Sequence, residues 1–201
     1  VIMSVRIMDA PTEARKIQRT AVPTSGGLAV AISAFLATVA ITENTEWQLD
    51  SVILITGGGA LLAMLLGLVD DILRLRATIR LACVIAITVG MAAFGSRADV
   101  LGLWPGAMIH LPLAVSITGS ALWLVVVINA VNFMDGANGL AMGMAAIAAL
   151  GLAVCAGFTG AWTLALLSAS VAGALAGFLV WNIPGRLFVG DAGAYFAGAI
   201  L

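Results

Sequence analysis

The sequence predicts an all-α, polytopic helical membrane protein with six complete transmembrane helices and the start of a seventh. Composition is the first reason: of the 201 residues, 62% are hydrophobic and only 9% are charged. A soluble domain carries about 25% charged residues, so this class is excluded. The second reason is that the apolar residues are gathered in long runs, without the period-two alternation of a transmembrane strand.

The apolar runs follow one another along the chain, and each complete run is long enough to cross a bilayer as a helix. Trp residues stand near several of the run ends, as expected for side chains at a membrane interface. The runs fall at about residues 25–42, 51–69, 79–95, 114–132, 139–157 and 162–181, with a seventh beginning near residue 194. We expect residues 1–201 to form one integral-membrane domain, and we expect it to be truncated because the seventh run is short.

The connections between the runs alternate between two faces, and the basic residues lie almost entirely on one of them. The first face receives residues 1–24, 70–78, 133–138 and 182–193, and the second receives residues 43–50, 96–113 and 158–161. The second face holds a single basic residue, Arg97, and all other Lys and Arg residues lie on the first face. Cytoplasmic loops carry the excess of Lys and Arg, so the first face is predicted to be cytoplasmic.

Charge and cysteine placement exclude two further classes. The net charge of −1 leaves no basic surface for nucleic acid. Cys83 and Cys155 both lie in apolar runs, so two free thiols are expected rather than a disulfide framework. The single histidine, His110, lies in a loop on the second face and is expected to have no role in the chemistry.

Four aspartates emerge on the predicted cytoplasmic face. Asp70 and Asp71 end an apolar run with Arg74 one turn later, Asp135 lies in VNFMDGANGLA, and Asp191 lies in LFVGDAG. Each could be structural, for example as a helix stop or a helix cap. Together they predict a site for a divalent cation and a polyanionic substrate, because Mg²⁺ is usually bound by one or two carboxylates, substrate phosphates and water.

Glycines add two weaker indications. Gly26 and Gly27 in PTSGG, like the glycines of GDAG, allow backbone N–H groups to approach a phosphate closely. Phe188 could stack on a nucleobase or simply lie at the membrane interface. The other glycine clusters are interpreted as helix contacts: Gly57, Gly58 and Gly59, the pair Gly139 and Gly143, and the pair Gly173 and Gly177.

Five motifs in a fixed order resemble those of the polyprenyl-phosphate N-acetylhexosamine-1-phosphate transferases. They read D-x-P-x-x-x-R-K, V-P-T-S-G-G, G-L-V-D-D-I-L-R, N-A-V-N-F-M-D-G-A-N-G-L-A and F-V-G-D-A-G. The resemblance covers almost the whole chain. This family includes the undecaprenyl-phosphate N-acetylglucosamine-1-phosphate transferases and the phospho-MurNAc-pentapeptide translocases.

The resemblance implies a reaction, its cofactor and its location. The reaction is transfer of a sugar 1-phosphate from a UDP-N-acetylhexosamine to undecaprenyl phosphate, with release of UMP. It implies Mg²⁺, with Mn²⁺ as an alternative ion, in an enzyme of the bacterial inner membrane whose site faces the cytoplasm, and it allows a homodimer. By position it implies catalysis by Asp70, Asp71 and Asp135, metal binding by Asp191, and substrate binding by Gly26, Gly27, Arg74, Asn132, Asn138 and Phe188.

Several alternatives stay open. Two motifs, D-x-P followed by R-K and the later GDAGAYF, resemble those of the N-acetylglucosamine-type or O-antigen-initiating members more than those of the peptidoglycan translocases. The first branch therefore ranks ahead of the second. A transporter would place its acidic residues near mid-span, whereas these lie at run ends. A non-catalytic homologue is the third alternative, and release of UMP would distinguish the enzyme from both.

Overall fold

The computed structural model describes residues 8–9, 22–43, 50–104 and 106–201. Within these ranges every predicted apolar run forms a helix, and each helix begins and ends within four residues of the predicted bounds. The helices are α1 Gly26–Glu43, α2 Ser51–Leu73, α3 Ala77–Phe94, α4 Leu113–Met134, α5 Leu140–Phe158, α6 Trp162–Asn182 and α7 Gly190–Ile200. The strands are β1 Met8–Asp9, β2 Val22–Pro23, β3 Val100–Trp104 and β4 Ala107–His110.

Five of these helices, α2 to α6, are long and apolar enough to cross a membrane, and α1 adds the shorter apolar stretch Gly26–Ala40. Large apolar side chains such as Phe94, Ile147 and Phe158 are exposed on the outside of the bundle. Exposed apolar surface of this kind is expected where lipid, rather than water, is the solvent. The prediction of a polytopic helical membrane protein is confirmed.

The centre of the bundle is the short helix α7. All of its residues from 192 to 199 are buried, and it packs against α1, α2 and α4. The sequence of α7, GDAGAYFAGAI, is dominated by Ala and Gly, which let neighbouring backbones come close. The small residues of α7 therefore allow it to pack closely against α1, α2 and α4.

Close backbone approaches occur at glycines around α7. A Cβ added at Gly27 would collide with the backbone of Gly193, one at Gly67 with the carbonyl of Asp191, and one at Gly198 with the Cα of Ile128. No side chain larger than hydrogen fits at these positions without movement of a helix. The glycines of α7 and its neighbours thus set the spacing of the central helices.

The glycine clusters that were predicted to make helix contacts mostly do not. Gly59 does lie against the side chain of Met91, and Gly139 against that of Ile183. Within the described residues, a Cβ added at the remaining positions would meet nothing within 4 Å: Gly57, Gly58, Gly143, Gly173 and Gly177. The prediction is wrong there because four-residue spacing of small residues does not say which face of a helix meets a partner.

The loop between α3 and α4 forms an antiparallel hairpin of β3 and β4, which the sequence analysis did not predict. Its strands are too short to show a clear alternation of apolar and polar residues. The hydroxyl of Ser116 ties the loop to α4 by donating to the carboxylate of Asp99 at 2.8 Å. Cys83 and Cys155 are free, as predicted.

Candidate active site

The last turn of α2 places a buried carboxylate beside an arginine of α3. Asp70 is only 4% exposed, and its Oδ2 accepts a hydrogen bond from a terminal nitrogen of Arg80 at 2.9 Å. Its Oδ1 accepts a hydrogen bond from the backbone N–H of Leu75 at 2.8 Å. Arg74 ends the helix in a left-handed conformation, with φ of 51°, so the chain turns back and brings Arg80 to Asp70. Because the charge is paired and its oxygens are bonded, its burial is tolerated.

Asp71 caps α7 from a neighbouring helix. Its two carboxylate oxygens accept hydrogen bonds from the backbone N–H groups of Asp191 at 3.1 Å and Ala192 at 3.3 Å. The first N–H groups of a helix have no partner within the helix, and a carboxylate there also interacts favourably with the helix dipole. Gly190 has φ of 71°, and a Cβ there would lie 2.8 Å from Asp71 Oδ2, so only glycine fits this approach.

Asp191 joins the cluster from the first turn of α7. Its Oδ1 accepts a hydrogen bond from the side-chain amide of Asn132 at 2.7 Å, and its Oδ2 lies 3.9 Å from Arg80. The ends of α2, α3, α4 and α7 therefore meet at one point. The structure brings together four of the residues singled out from the sequence: Asp70, Asp71, Asn132 and Asp191.

Asp135 lies at the end of α4, one turn after Asn132. Burial raises the pKa of its carboxyl group to about 7, and the negative charges of Asp191 and Asp71 contribute to this rise. Burial also raises the pKa of Asp191, an effect that the hydrogen bond from Asn132 opposes. Among the described ion pairs of this cluster, Arg80 is the only cation. The cluster therefore holds more negative than positive charge.

These residues are suited to bind a cation that takes only some of its ligands from the protein. Within the described residues, no group of three or more His, Cys, Asp or Glu side chains is arranged to hold a metal ion. The oxygens of Asp70 and Asp71 are already engaged in hydrogen bonds. Asp191 is left as the donor, because its Oδ1 accepts from Asn132 while its Oδ2 has only the 3.9 Å contact with Arg80. Mg²⁺ is commonly bound by one or two carboxylates together with phosphate oxygens and water.

The backbones of Gly26 and Gly27, at the start of α1, are hydrogen-bonded to the segment that contains Phe188, just before α7. The N–H of Gly26 donates to the carbonyl of Phe188, and the N–H of Gly27 to the carbonyl of Val189, both at 3.0 Å. The N–H of Phe188 donates to the carbonyl of Pro23 at 2.9 Å. Both glycine amides are thus engaged inside the protein, and their contact with a phosphate stays a prediction, as does stacking of Phe188 on a base.

Two other predicted substrate residues lie on the surface of the protein. The side chain of Arg74 is exposed, and Asn138 is exposed beside Gly185. Arg15 and Lys16, which the sequence analysis placed on the same face, lie outside the described residues. Arg74 and Asn138 are therefore accessible to a ligand that approaches from solvent.

Sequence reasoning missed Arg80 and Asn182. Arg80 was counted only as one of several basic residues, and nothing in its spacing pointed to Asp70. Asn182 is 4% exposed; its Oδ1 accepts from the N–H of Gly139 at 2.7 Å, and its Nδ2 donates to the carbonyl of Leu187 at 2.9 Å. It thereby links the loop after α4 to the loop before α7. A lone amide at the end of an apolar run was the signal that could have identified it.

The fold and this cluster define a polytopic helical membrane protein with a buried, carboxylate-rich site at one end of its bundle. The family profile of glycosyl transferase family 4 matches residues 52–201. The chain belongs to this family.

Three curated relatives indicate where in the family the similarity lies. The chain is 28% identical to a probable undecaprenyl-phosphate N-acetylglucosaminyl 1-phosphate transferase of Bacillus subtilis (strain 168), with 98% of this chain and 54% of the relative covered. It is 31% identical to a phospho-N-acetylmuramoyl-pentapeptide-transferase of Moorella thermoacetica, with 92% and 61% covered. It is 30% identical to an undecaprenyl-phosphate alpha-N-acetylglucosaminyl 1-phosphate transferase of Thermotoga maritima, with 96% and 54% covered. The chain thus spans between about half and three fifths of the length of these relatives.

Proposed function

We propose that the protein transfers an N-acetylhexosamine 1-phosphate from a UDP-sugar to undecaprenyl phosphate and releases UMP. The observation that carries the proposal is the cluster of Asp70, Arg80, Asn132 and Asp191 at one end of a membrane bundle. Membership of glycosyl transferase family 4 and the names of the relatives support it. The N-acetylglucosamine-type reaction ranks first, because the relatives from B. subtilis and T. maritima carry that name.

Both substrates are anionic, so the reaction needs positive charge where the two phosphates meet. Arg80 supplies one charge from inside the cluster, and Arg74 and Arg186 are exposed in loops that adjoin it. Mg²⁺ bound by Asp191, with Asp135 nearby, would neutralise the diphosphate and the charge that develops on departing UMP. Phosphoryl transfer then depends chiefly on alignment and electrostatics.

The three predicted catalytic aspartates are in different surroundings, which suggests different roles. Asp70 is bonded to Arg80 and Asp71 caps α7, so both are suited to hold the site in shape. The carboxylate of Asp135 accepts no hydrogen bond within the described residues, and its pKa is about 7. An acid of that pKa is suited to general base catalysis near neutral pH. Asp135 would take the proton of the attacking lipid phosphate as its oxygen bonds to the β-phosphorus and the bond to UMP breaks.

We infer that the protein lies in the bacterial inner membrane and that its site faces the cytoplasm. The supporting observation is that all basic residues except Arg97 lie in the segments predicted on the side of the cluster or, for Arg80, two residues beyond one of them. Cytoplasmic loops carry this excess. A lipid phosphate at the inner leaflet and a soluble UDP-sugar could then both reach Asp191.

The second candidate is transfer of phospho-MurNAc-pentapeptide, and one observation favours it. The relative from M. thermoacetica, which carries that name, is 31% identical to this chain. The two reactions differ in the donor sugar and share the lipid acceptor. The choice of donor therefore separates them.

The experiment is an assay of UMP release by the purified protein in its full natural length, with undecaprenyl phosphate, Mg²⁺ and either UDP-N-acetylglucosamine or UDP-MurNAc-pentapeptide. We expect turnover with the first donor and a loss of about a thousandfold in Asp191→Asn, the size seen when a major electrostatic group is removed. The matched control is Asp50→Asn, because Asp50 caps α2 from the opposite end of the bundle and Asn caps equally well. Turnover that is equal in Asp191→Asn and the wild type would contradict the site, and turnover only with the second donor would contradict the ranking.

A further inference from the structure

The phenol group of Tyr195 is unusual within the core. The residue is 1% exposed, and its hydroxyl makes no hydrogen bond within the described part of the chain. Nearly all buried polar groups in proteins are paired with protein or with ordered water. A buried hydroxyl without a protein partner therefore indicates either a bound water or a functional contact.

Tyr195 lies one helical turn after Asp191, which belongs to the charged cluster. It follows Asp191 by four residues on α7, so both side chains lie on the same face of that helix, one turn apart. The phenol interacts electrostatically with Arg80, Asp191, Asp70 and Asp71. The charges of the four groups of the site therefore act on the phenol.

Packing alone does not account for a tyrosine here. Phenylalanine fills nearly the same space without a buried polar atom, and the next residue of α7, Phe196, is a buried phenylalanine. The cluster offers hydrogen-bond partners to a water molecule, namely the carboxylates of Asp70 and Asp191 and the remaining N–H groups of Arg80. A buried water needs two to four such partners.

We propose that Tyr195 is a positioning residue: its hydroxyl, through one buried water, hydrogen-bonds to the cluster of Asp70, Arg80 and Asp191 and holds Arg80 in place. The hydroxyl does not touch a substrate, because the residue is only 1% exposed. The consequence for turnover rests on the proposed transferase function. The consequence for stability does not, since the water and its partners are present without substrate.

The first test is a double-mutant cycle on thermal unfolding of the purified full-length protein without substrate, with Tyr195→Phe, Asp70→Asn and both together. Groups in one hydrogen-bond network show non-additive effects, whereas independent sites add. We expect the double variant to lose clearly less stability than the sum of the single variants. The control is Thr88→Val, which removes a buried hydroxyl bonded to the carbonyl of Ile85 outside the cluster. Its effect should add to that of Asp70→Asn. Additive effects of Tyr195→Phe and Asp70→Asn would overturn the proposal.

The second test measures kcat and KM of Tyr195→Phe with both substrates. Loss of one hydrogen bond that orients a catalytic group is expected to lower kcat by about tenfold with KM nearly unchanged. Unchanged kcat in an active wild type would also overturn the proposal. If the wild type itself shows no transfer, the proposed function fails, and the thermal cycle still decides the role of Tyr195.

Discussion

At the scale of single residues, the site is a set of carboxylates whose negative charges are stabilised to different degrees by hydrogen bonds and by Arg80. Asp70 has an arginine and a backbone N–H, Asp71 has two backbone N–H groups, and Asp191 has an amide and a distant arginine. The carboxylate of Asp135 accepts no hydrogen bond from the described residues, and burial raises its pKa to about 7. The protein therefore binds a proton at Asp135 more tightly when folded than when unfolded.

This difference predicts how stability depends on pH. Because the pKa of Asp135 is about 7 in the folded state and 3.8 in the reference state, stability falls as pH rises from about 4 to about 7. Above pH 7 the loss is complete. Asp135→Asn removes this contribution, so the variant should match the wild type in Tm at pH 4 and exceed it at pH 8. Thermal unfolding in detergent across this range measures the effect.

Asp99 provides the control for this pH dependence. Hydrogen bonds from Ser116 and Arg97 lower its pKa, so its contribution is present above pH 4 and is lost as pH falls. Asp99→Asn should therefore reduce Tm at neutral pH, the opposite of Asp135→Asn. A lower Tm of Asp135→Asn at pH 8 would contradict the assignment of a raised pKa.

At the scale of elements, the arrangement depends on how closely α7 approaches its neighbours. Asp191 lies on α7, and its backbone carbonyl lies against Gly67 of α2. Any side chain at residue 67 would push the start of α7 away from α2. It would also separate Asp71 from the N–H groups that it caps.

We therefore expect Gly67→Ala to lower both stability and activity. Overpacking of a tight contact costs about 1–3 kcal/mol, and displacement of Asp191 should reduce turnover by tenfold or more. Gly57→Ala on the same helix is the matched control, since a Cβ there meets nothing within 4 Å of the described residues. That variant should be neutral or slightly more stable, because Ala favours helix over Gly. Thermal unfolding and UMP release report both effects, and equal behaviour of the two variants would exclude the proposed packing.

The sequence predicted the helices but not these contacts. Hydrophobic runs set helix positions because any segment that crosses lipid must satisfy its own backbone hydrogen bonds. Glycines at residues 57, 143 and 173 look no different in sequence from those at residues 27 and 67. Only the packing of helices distant in sequence separates the two groups.

At the scale of the whole molecule, the bundle has two different ends. One end carries the cluster around Asp191. At the other end, the hydroxyl groups of Thr56 and Ser96 lie 2.8 Å apart, and Asp99 is bonded to Ser116 and Arg97. The β3–β4 hairpin also belongs to this second end. The alternation of loops that was predicted from the sequence matches this arrangement of contacts.

The orientation of the bundle in the membrane can be tested by thiol labelling at its two ends. In a background of Cys83→Ala and Cys155→Ala, an impermeant thiol reagent should label His110→Cys in intact cells, because this exposed residue lies at the second end. Arg76→Cys, exposed at the end of the cluster, should react only after the membrane is made permeable. The reverse pattern would contradict the cytoplasmic placement of the site.

The sequence by itself determined the class of protein, the bounds of its helices and the aspartates on one face. These follow from local physics: apolar runs of membrane length, charges at their ends and motifs within short segments. Only the tertiary structure decided that Arg80 pairs with Asp70, that Asp71 caps α7, and that the hydroxyl of Tyr195 is buried without a partner among the described residues. The partners in such contacts are separated by up to 121 residues, and their proximity depends on how helices pack, which no local pattern encodes.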